Sequence, residues 1–409
     1  QVILRIEPGP RYRLAAYDIT VTGDPPPPEA EQPNLADIGI TLGDPARAPV
    51  VVEAEQRFVA LLKERGYPFA RVGERKTFVN HEKEEMTVQL QIEAGPSATF
   101  GPLSFTGQAS VDEAYLPRLI GWREGEAYDQ RVRRDTRRKL SSTGLFSSIT
   151  AETAGTPLPD GSLPVTFTVT ERDHRSIGGA IAYSTDIGPE LELFWEHRNF
   201  FGQNEQLRLS ATGSLIEQHG TIDFRKPSFL RRDQDFIVDI DGGLDDNDAY
   251  ERMGVEGLVA LERPILENWT VTGGFSTTYQ NIDEKAEAGR DARTFLLFGL
   301  PLRARRDTTD DPLNPAEGSR FRVSMTPYTG VGDKSLLFLE SIVGGSAYYA
   351  VDEAERFILA GRARFGSIVG ADTEELPGDR RFYAGGGGSI RGYEYQLVGP
   401  LDSDQHPFG

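Results

Sequence analysis

The chain has 409 residues and an acidic balance, with 44 basic and 63 acidic side chains and a formal net charge of −19. This balance repels phosphate backbones, so nucleic acid is not an expected partner. The longest apolar run, residues 295–302, is too short for a membrane-spanning helix, which excludes helical spans but not transmembrane strands, since strands need only alternating polarity.

A strand-like pattern at the N-terminus recurs along the first part of the chain. Residues 2–10 and 88–96 share alternating apolar positions, a glutamate at the strand end and a following Gly-Pro, and a weaker copy lies at residues 165–171. The spacing of roughly 80 residues is typical of a small domain used in tandem. Because the sequence opens on such a strand, we expect the natural N-terminus to lie upstream.

Each repeat is predicted to contain one long helix. One helical face of the first repeat carries the apolar residues Val51, Ala54, Phe58, Leu61 and Leu62. Gly66 is placed to end this helix, and in the second repeat Asp129 is a candidate N-cap and Gly144 the stop. A shorter helix is expected at residues 111–120, which gives the order strand, helix, helix, strand, strand. Basic residues at 131–139 form a face that is either solvated or in contact with anionic lipid or a partner.

From residue 174 onward the pattern changes to alternation with a period of two. About eleven alternating strands fit between residues 175 and 366, and at about 9–14 residues they are longer than the strands of a soluble sandwich. Their polar positions are heavily charged, and aromatic residues cluster near strand ends. These features favour a transmembrane antiparallel β-barrel over a large soluble β-domain, the alternative that the pattern alone leaves open.

The densest glycine cluster of the chain follows the last of these strands. It contains the residues Gly385, Gly386, Gly387, Gly388, Arg391, Gly392 and Tyr393. No Gly-Lys-Ser/Thr follows, which argues against a nucleotide-binding loop, and a flexible surface loop is the main alternative. Glycines let the backbone fold tightly in a confined space, and a lone arginine there needs a carboxylate partner.

The tip of this segment, Ile390-Arg391-Gly392-Tyr393, resembles the (V/I)RG(Y/F) tip of the sixth extracellular loop in the Omp85 superfamily, a loop that folds back into its barrel. Residues 195–202 and 307–318 look like two further motifs of that superfamily. The N-terminal repeats are similar to its POTRA domains in size and element order. Within the superfamily, the BamA/TamA family is the closest match, and the TamA branch, the outer-membrane part of the translocation and assembly module, is the one the chain resembles most.

The resemblance implies an α+β POTRA tandem followed by a membrane barrel. The expected segments are the end of a preceding POTRA domain at residues 1–10, POTRA domains at 11–94 and 97–173, and an Omp85 barrel at 174–409. The family barrel has sixteen strands, and this loop joins the eleventh to the twelfth. The remaining strands, and the acidic partner expected for Arg391, would therefore lie beyond the sequence given.

The resemblance also implies a location and a function. The barrel would lie in the outer membrane, in the lipid bilayer, with the POTRA domains in the periplasm. There it would insert autotransporters and other client β-barrel proteins, coupled to a TamB-like inner-membrane and periplasmic protein, and a role in phospholipid transport has been proposed for such pairs. A two-partner secretion transporter that exports a dedicated substrate, and a BamA-type assembly barrel, are the alternatives.

The first predicted barrel strand is a candidate for a weak seam. It contains the small or aliphatic residues Ile177, Gly178, Gly179, Ala180 and Ile181. Glycine weakens a strand interior, so this edge could separate from the last strand of the family barrel and template a client strand. The alternative is that the glycines only relieve crowding at a bend of the barrel.

No enzymatic chemistry is predicted. The chain has no cysteine, its five histidines show no metal-ligand spacing, and no Gly-x-Ser-x-Gly motif occurs. We therefore expect no catalytic residue, no metal and no cofactor.

Overall fold

The computed structural model describes residues 10–184, 187–287 and 291–409 and divides the chain into two compact units, Gln1–Arg172 and Asp173–Gly409. The strand expected at residues 2–7 lies outside the described residues. Each unit has its own sheets and its own core. Within the described ranges, no helix is long and apolar enough to cross a bilayer.

The first unit contains two copies of one small α+β fold. The first repeat consists of β1 (Arg13–Thr22), α1 (Ala48–Glu64), β2 (Arg71–Asn80) and β3 (Glu85–Glu93). The second repeat consists of β4 (Thr99–Thr106), α2 (Gln130–Ser142), β5 (Phe146–Thr153) and β6 (Ser162–Glu171). Each sheet has its third strand in the centre, parallel to the first strand and antiparallel to the second.

Both long helices end, and the second one begins, where the sequence predicts. The Asp129 carboxylate accepts a hydrogen bond from the Arg131 backbone N–H at 2.7 Å and caps α2. Gly66 and Gly144 follow α1 and α2 with φ of 99° and 74°, in the left-handed region that favours glycine. The shorter helix expected at residues 111–120 is reduced to the 3-10 turn Leu116–Leu119.

The basic face of α2 is partly used inside the first unit. Arg134 Nη2 donates to Glu64 Oε1 of α1 at 3.1 Å, and Arg131 Nε lies 3.6 Å from Glu64 Oε2. The Glu64 side chain is mostly buried, so this contact joins the two repeats through a shielded carboxylate. These two arginines of the basic face therefore contact the first repeat of the same chain.

The glutamate at the end of β6 caps the turn after β4. The Glu171 carboxylate accepts hydrogen bonds from the backbone N–H groups of residues 109–111 at 2.7 to 3.1 Å and from the Ser110 hydroxyl at 2.5 Å. Burial raises the pKa of Glu171, but these hydrogen bonds outweigh it and lower the pKa to about 2. The predicted acidic strand end is therefore a structural cap of the second repeat.

Glu171→Gln is expected to destabilise the second repeat by about 1–2 kcal/mol at neutral pH, after allowance for solvent screening. The depressed pKa contributes stability that is complete above the unfolded value of 4.5 and is lost as the pH falls toward about 2. Urea unfolding followed by fluorescence of Trp122, which is buried in this core, should show a loss that shrinks from pH 4.5 downward and disappears near the folded pKa of about 2. Glu152→Gln, at an exposed position of β5, is the matched control. Equal stability of the two variants at pH 7 would contradict the capping role.

The second unit is a single antiparallel sheet in which adjacent positions are filled by consecutive parts of the chain, with one position shared by two short strands. Its strands are β7 (Arg175–Ser184), β8 (Gly188–His197), β9 (Gln206–Gly213), β10 (Glu217–Lys226), β11 (Asp235–Asp246), β12 (Tyr250–Leu266), β13 (Trp269–Glu284), β14 (Arg293–Gly299), β15 (Leu302–Asp307), β16 (Gly318–Val331), β17 (Ser335–Ala350) and β18 (Ile358–Val369). Strands β14 and β15 follow one another in a single position of the sheet, between β13 and β16. The break between them is at Leu300 and Pro301, and proline has no backbone N–H to donate to a neighbouring strand. The sheet thus has eleven positions, as the alternation predicts.

The two faces of this sheet differ in polarity. Along β12 and β13, the residues Met253, Val255, Val259, Phe275 and Tyr279 are exposed. The residues that alternate with them are largely shielded and often polar, as Gln280 and Glu284 are. One face is therefore apolar and exposed, and the other encloses charged side chains, which is the inside-out arrangement of a membrane barrel wall.

Candidate functional site

The chain that follows β18 turns back across the polar face of the sheet. Residues 376–381, which we call the loop anchor, contact β12, β13 and β16 through side chains of that face. The anchor contains the 3-10 turn Gly378–Arg380, preceded by Pro377 in an extended conformation. A Cβ at Gly378 would lie 3.1 Å from Glu284 Cγ, so the backbone approaches the wall more closely than a larger residue would allow comfortably.

Arg380 is the central side chain of the loop anchor. Its Nη2 donates to Glu256 Oε2 of β12 at 2.6 Å and to Thr278 Oγ1 of β13 at 3.0 Å. Its Nη1 donates to the Tyr328 hydroxyl of β16 at 3.3 Å, and the guanidinium carbon lies 5.3 Å from the centre of that ring. One arginine therefore binds three strand positions at once, in a site where its side chain is only 14% exposed.

Asp379 connects the loop anchor to a longer polar chain. Its Oδ1 accepts from Gln280 Nε2 at 2.6 Å, and Gln280 Oε1 accepts from Arg252 Nε at 2.7 Å. Arg252 Nη1 then donates to Asp245 Oδ2 at 2.8 Å, and Asp245 Oδ1 lies 2.8 Å from His219 Nε2. The hydrogen bonds run from the loop across β13, β12 and β11 to β10, so movement of the loop anchor would disturb four strands.

A second ionic contact fixes the start of the loop anchor. Glu284 forms a buried ion pair with Arg293, and its Oε1 also accepts the Gly378 backbone N–H at 3.1 Å. Arg293 Nη1 donates to the Glu374 carbonyl at 2.8 Å, while Arg381 Nη2 lies 3.7 Å from Glu284 and donates to the Leu376 carbonyl at 3.1 Å. The buried charges are thus paired and hydrogen-bonded, as low-dielectric surroundings require.

An apolar cluster lies beside these ion pairs. Leu376 of the loop anchor is 4% exposed and packs with the wall residues Ile282, Phe295, Leu297, Tyr328, Leu336 and Phe338. The cluster excludes water from one side of the ionic contacts, which strengthens them.

The predicted glycine motif forms a compact tip after the anchor. Gly385 and Gly386 have φ of 115° and 83°, and Gly392 has φ of 91°. The Gly385 N–H donates to Ser389 Oγ at 2.8 Å, and the Gly386 N–H donates to the Tyr393 carbonyl at 3.0 Å. The tip is therefore a folded turn, which argues against a flexible surface loop.

Arg391 is exposed at this tip, as are Tyr393, Gly387 and Gly388. Within the described parts of the chain it forms no ion pair, and its acidic partner stays a prediction. The arginines that dock are Arg380 and Arg381, which the sequence analysis did not single out. The sequence feature that could have identified these arginines is the charged run Asp379 to Arg381, which directly follows a Pro-Gly pair. Their acidic partners are inward-facing glutamates of β12 and β13.

Strand β7 lies at an edge of the sheet and, among the described residues, pairs with β8 alone. Its outward residues Ile177 and Ile181 are 87% and 86% exposed. A Cβ at Gly178 would lie 2.5 Å from Phe194 Cζ, and a Cβ at Gly179 would lie 2.9 Å from the Glu192 carbonyl oxygen. Both glycines therefore make room for β8, which supports the interpretation that they relieve crowding and leaves the weak seam a hypothesis.

Family comparisons agree with this architecture. The model described as the Omp85 superfamily domain matches residues 199–409, which is more than half of the chain, and a POTRA model described as a surface antigen variable number repeat matches residues 98–172. A POTRA tandem followed by a barrel wall with an inward-docked loop is the architecture of an outer-membrane Omp85 protein. The chain belongs to the Omp85 superfamily.

Individual relatives are distant in sequence. The outer membrane protein assembly factor BamA of Nitratidesulfovibrio vulgaris is 24% identical over 348 residues, which cover 83% of this chain and 43% of the relative. BamA of Neisseria meningitidis serogroup B is 20% identical, with 83% and 45% covered. The crystal structure of Haemophilus ducreyi BamA lacking POTRA domains 1–3 has a TM-score of 0.81 at 17% identity and covers 95% of this chain and 77% of that one, which shows a shared fold. The chain spans less than half the length of the two curated relatives.

Membership of the superfamily also defines the compartment. The protein is an outer-membrane protein whose POTRA domains lie in the periplasm. Because β7 follows the POTRA repeats along the chain, the end of the sheet at which β7 begins is its periplasmic end.

Proposed function

We propose that this protein is a non-enzymatic assembly factor for outer-membrane β-barrel proteins. No bond is broken and no nucleotide is consumed in this function, so the folding of the client strand itself must drive insertion. A strand that enters lipid cannot leave its amides unpaired, and a strand edge on the machine lowers the barrier by offering partners. The observation that carries the proposal is the combination of POTRA repeats with an Omp85 barrel wall and an inward-docked loop, in a chain similar to proteins named as outer membrane protein assembly factors.

The TamA-type assignment is the finer part of the proposal. It rests on the repeats, two POTRA domains and the expected end of a preceding one, because the Ile390-Arg391-Gly392-Tyr393 tip is common to the superfamily and the relatives found by comparison are BamA proteins. A TamA-type protein would assemble autotransporters among its clients, bind a TamB-like periplasmic protein and contribute to phospholipid transport. Co-purification of a TamB-like protein with the POTRA unit tests this part, and its absence from the purified complex would favour a BamA-type factor.

Client addition at β7 is expected to give cysteine cross-links from this strand and not from an internal strand. Ile181→Cys lies on the outward face of the β7 edge, and the chain has no native cysteine, so the label is unique. During client expression we expect a disulfide between this position and a cysteine in the last strand of the client barrel. The yield is read from non-reducing gels of whole membranes.

Leu209→Cys is the matched control for that experiment. Leu209 is also an exposed aliphatic residue, but β9 is paired with β8 and β10 on both sides, so no client strand can add there. Equal cross-linking at the two positions would refute templating at β7. Cross-links confined to polar positions of the lumen would favour the secretion-transporter alternative.

A further inference from the structure

One wall of the lumen carries a group of closely spaced arginines. Among the described residues, five arginines on β15, β16 and β18 line one cavity and form no ion pair: Arg303, Arg305, Arg322, Arg362 and Arg364. We call this group the arginine wall. These three strands contain no lysine.

The register of the sheet concentrates this charge. Arg305 of β15 is directly opposite Arg322 of β16, and Arg322 is opposite Gly344 of β17, which is opposite Arg364 of β18. Like charges directly opposite each other on antiparallel strands are destabilising. Gly344 lies between two of these arginines in the register and has no side chain. A Cβ at this position would lie no closer than 3.7 Å to its neighbours, so the backbone does not require glycine there.

Other arginines of the same cavity are paired. Arg208 Nη2 lies 2.7 Å from Glu192, Arg225 Nη2 lies 2.8 Å from Asp235, and Arg320 Nε lies 3.2 Å from Asp307. Three arginines of this cavity are thus paired, and the five of the arginine wall are not paired by any carboxylate of the described residues. Closely spaced positive charges in a low-dielectric cleft attract anions, which indicates a site for an anion.

The cavity is large and lies at the periplasmic end of the sheet. Its volume is about 1240 Å³, which exceeds that of a typical small-molecule pocket. Arg305 and Arg322 lie within a few residues of the strand ends on the side where β7 begins. The loop tip is in reach of the wall, because Arg362 Nη2 donates to the Gly388 carbonyl at 2.9 Å.

We infer that the arginine wall binds a phosphate group carried by a ligand that enters from the periplasm. The planar guanidinium forms two parallel hydrogen bonds with phosphate oxygens, and adjacent arginines can share one phosphate. An acidic peptide fits less well, since Asp223 and Asp239, which are opposite each other on β10 and β11, line the same cavity and would repel a run of carboxylates. A compact phosphate can contact the arginines without meeting that acidic side.

The test measures binding to the full-length protein in neutral detergent, without any client. The probes are inorganic phosphate, dihexanoyl phosphatidylglycerol, dihexanoyl phosphatidylethanolamine and a poly-glutamate peptide, titrated by calorimetry at low and high salt. The variant R305Q/R322Q is expected to bind the phosphate-bearing probe roughly tenfold more weakly or worse. Binding by wild type should also weaken as salt rises.

The matched control is R263Q/R306Q, which removes the same charge at the same end of the sheet. Arg263 and Arg306 are near the periplasmic ends of β12 and β15 but outside the cavity lining, in register with the outward residues Val271 and Trp269. This variant should bind the probe as wild type does.

The stability of the unliganded protein separates a binding role from a structural one. If the wall serves a ligand, R305Q/R322Q is at least as heat-resistant as wild type on semi-native gels, because like-charge repulsion is removed.

Binding of the short-chain lipids but not of inorganic phosphate would identify a lipid headgroup as the source, and binding of inorganic phosphate alone would identify free phosphate. Tighter binding of poly-glutamate, absence of binding to wild type, or equal affinities of wild type and R305Q/R322Q would each overturn the inference. Because no client is present, these outcomes are independent of templating at β7.

Discussion

Arg380→Met is expected to release the loop anchor from the barrel wall. The change keeps the apolar length of the side chain but removes the hydrogen bonds to Glu256, Thr278 and Tyr328. Breaking a shielded ion pair is costly because it leaves the other charge without a partner, and we expect a loss of about 2–3 kcal/mol, moderated by the partial exposure of Glu256. Hydrogen exchange of residues 376–381 should therefore accelerate by roughly 30-fold or more.

The same substitution at Arg356 is the control. Arg356 also pairs with a carboxylate, Asp352, but in an exposed turn where its side chain is 73% exposed, so Arg356→Met should cost far less than Arg380→Met. Glu256→Gln and the double variant complete a cycle that isolates the coupling energy between Arg380 and Glu256. Unchanged exchange of the anchor in Arg380→Met would mean that the other contacts of the anchor, through Asp379, Gly378 and Leu376, hold the loop without Arg380.

The assembly proposal connects this local change to function. The anchor is hydrogen-bonded through Asp379 and Gln280 to Arg252, so its release removes restraints on several neighbouring strands. We expect Arg380→Met to reduce client assembly while the barrel still reaches the membrane. Normal client levels with a demonstrably released anchor would separate loop docking from assembly.

Local patterns predict most of the fold. The helix stop at Gly66, the N-cap at Asp129 and the eleven-position alternation are each determined by residues close together in sequence, and the structure contains all of them. Even the interrupted position between β13 and β16 is marked by Pro301, which cannot take part in the ladder.

The docking site could not be predicted in the same way. Arg380 and Glu256 are 124 residues apart, and which inward residue of β12 comes opposite the loop depends on the register of every strand between them. The glycine cluster directed attention to Arg391, eleven positions after Arg380, because a local motif identifies a tip and not the side chains that anchor it. The packing of Phe194 against Gly178 is likewise a cross-strand property that composition alone does not reveal.

Gly385→Ala is expected to disrupt the loop tip. Gly385 has φ of 115°, a conformation that alanine rarely adopts, and a Cβ there would lie 2.1 Å from the Glu394 carbonyl oxygen. Since the Cβ is fixed to its Cα and its neighbour is a backbone carbonyl, the clash cannot be relieved without opening the turn, and we expect a cost of about 2–4 kcal/mol. The Gly386 N–H, which bonds to the Tyr393 carbonyl, should lose its protection from hydrogen exchange, and client assembly should fall.

Gly388→Ala provides the comparison within the same motif. Nothing lies within 4 Å of a Cβ at this position, and the backbone carbonyl that accepts from Arg362 is retained in alanine. The two variants thus differ in strain at the tip but not in composition, and only Gly385→Ala should impair the tip and client assembly, with heat resistance of the barrel unchanged in both. Equal impairment would indicate that the tip needs glycine for flexibility. Impairment of Gly385→Ala alone would indicate that one fixed conformation of the tip, with Arg391 exposed, is what assembly requires.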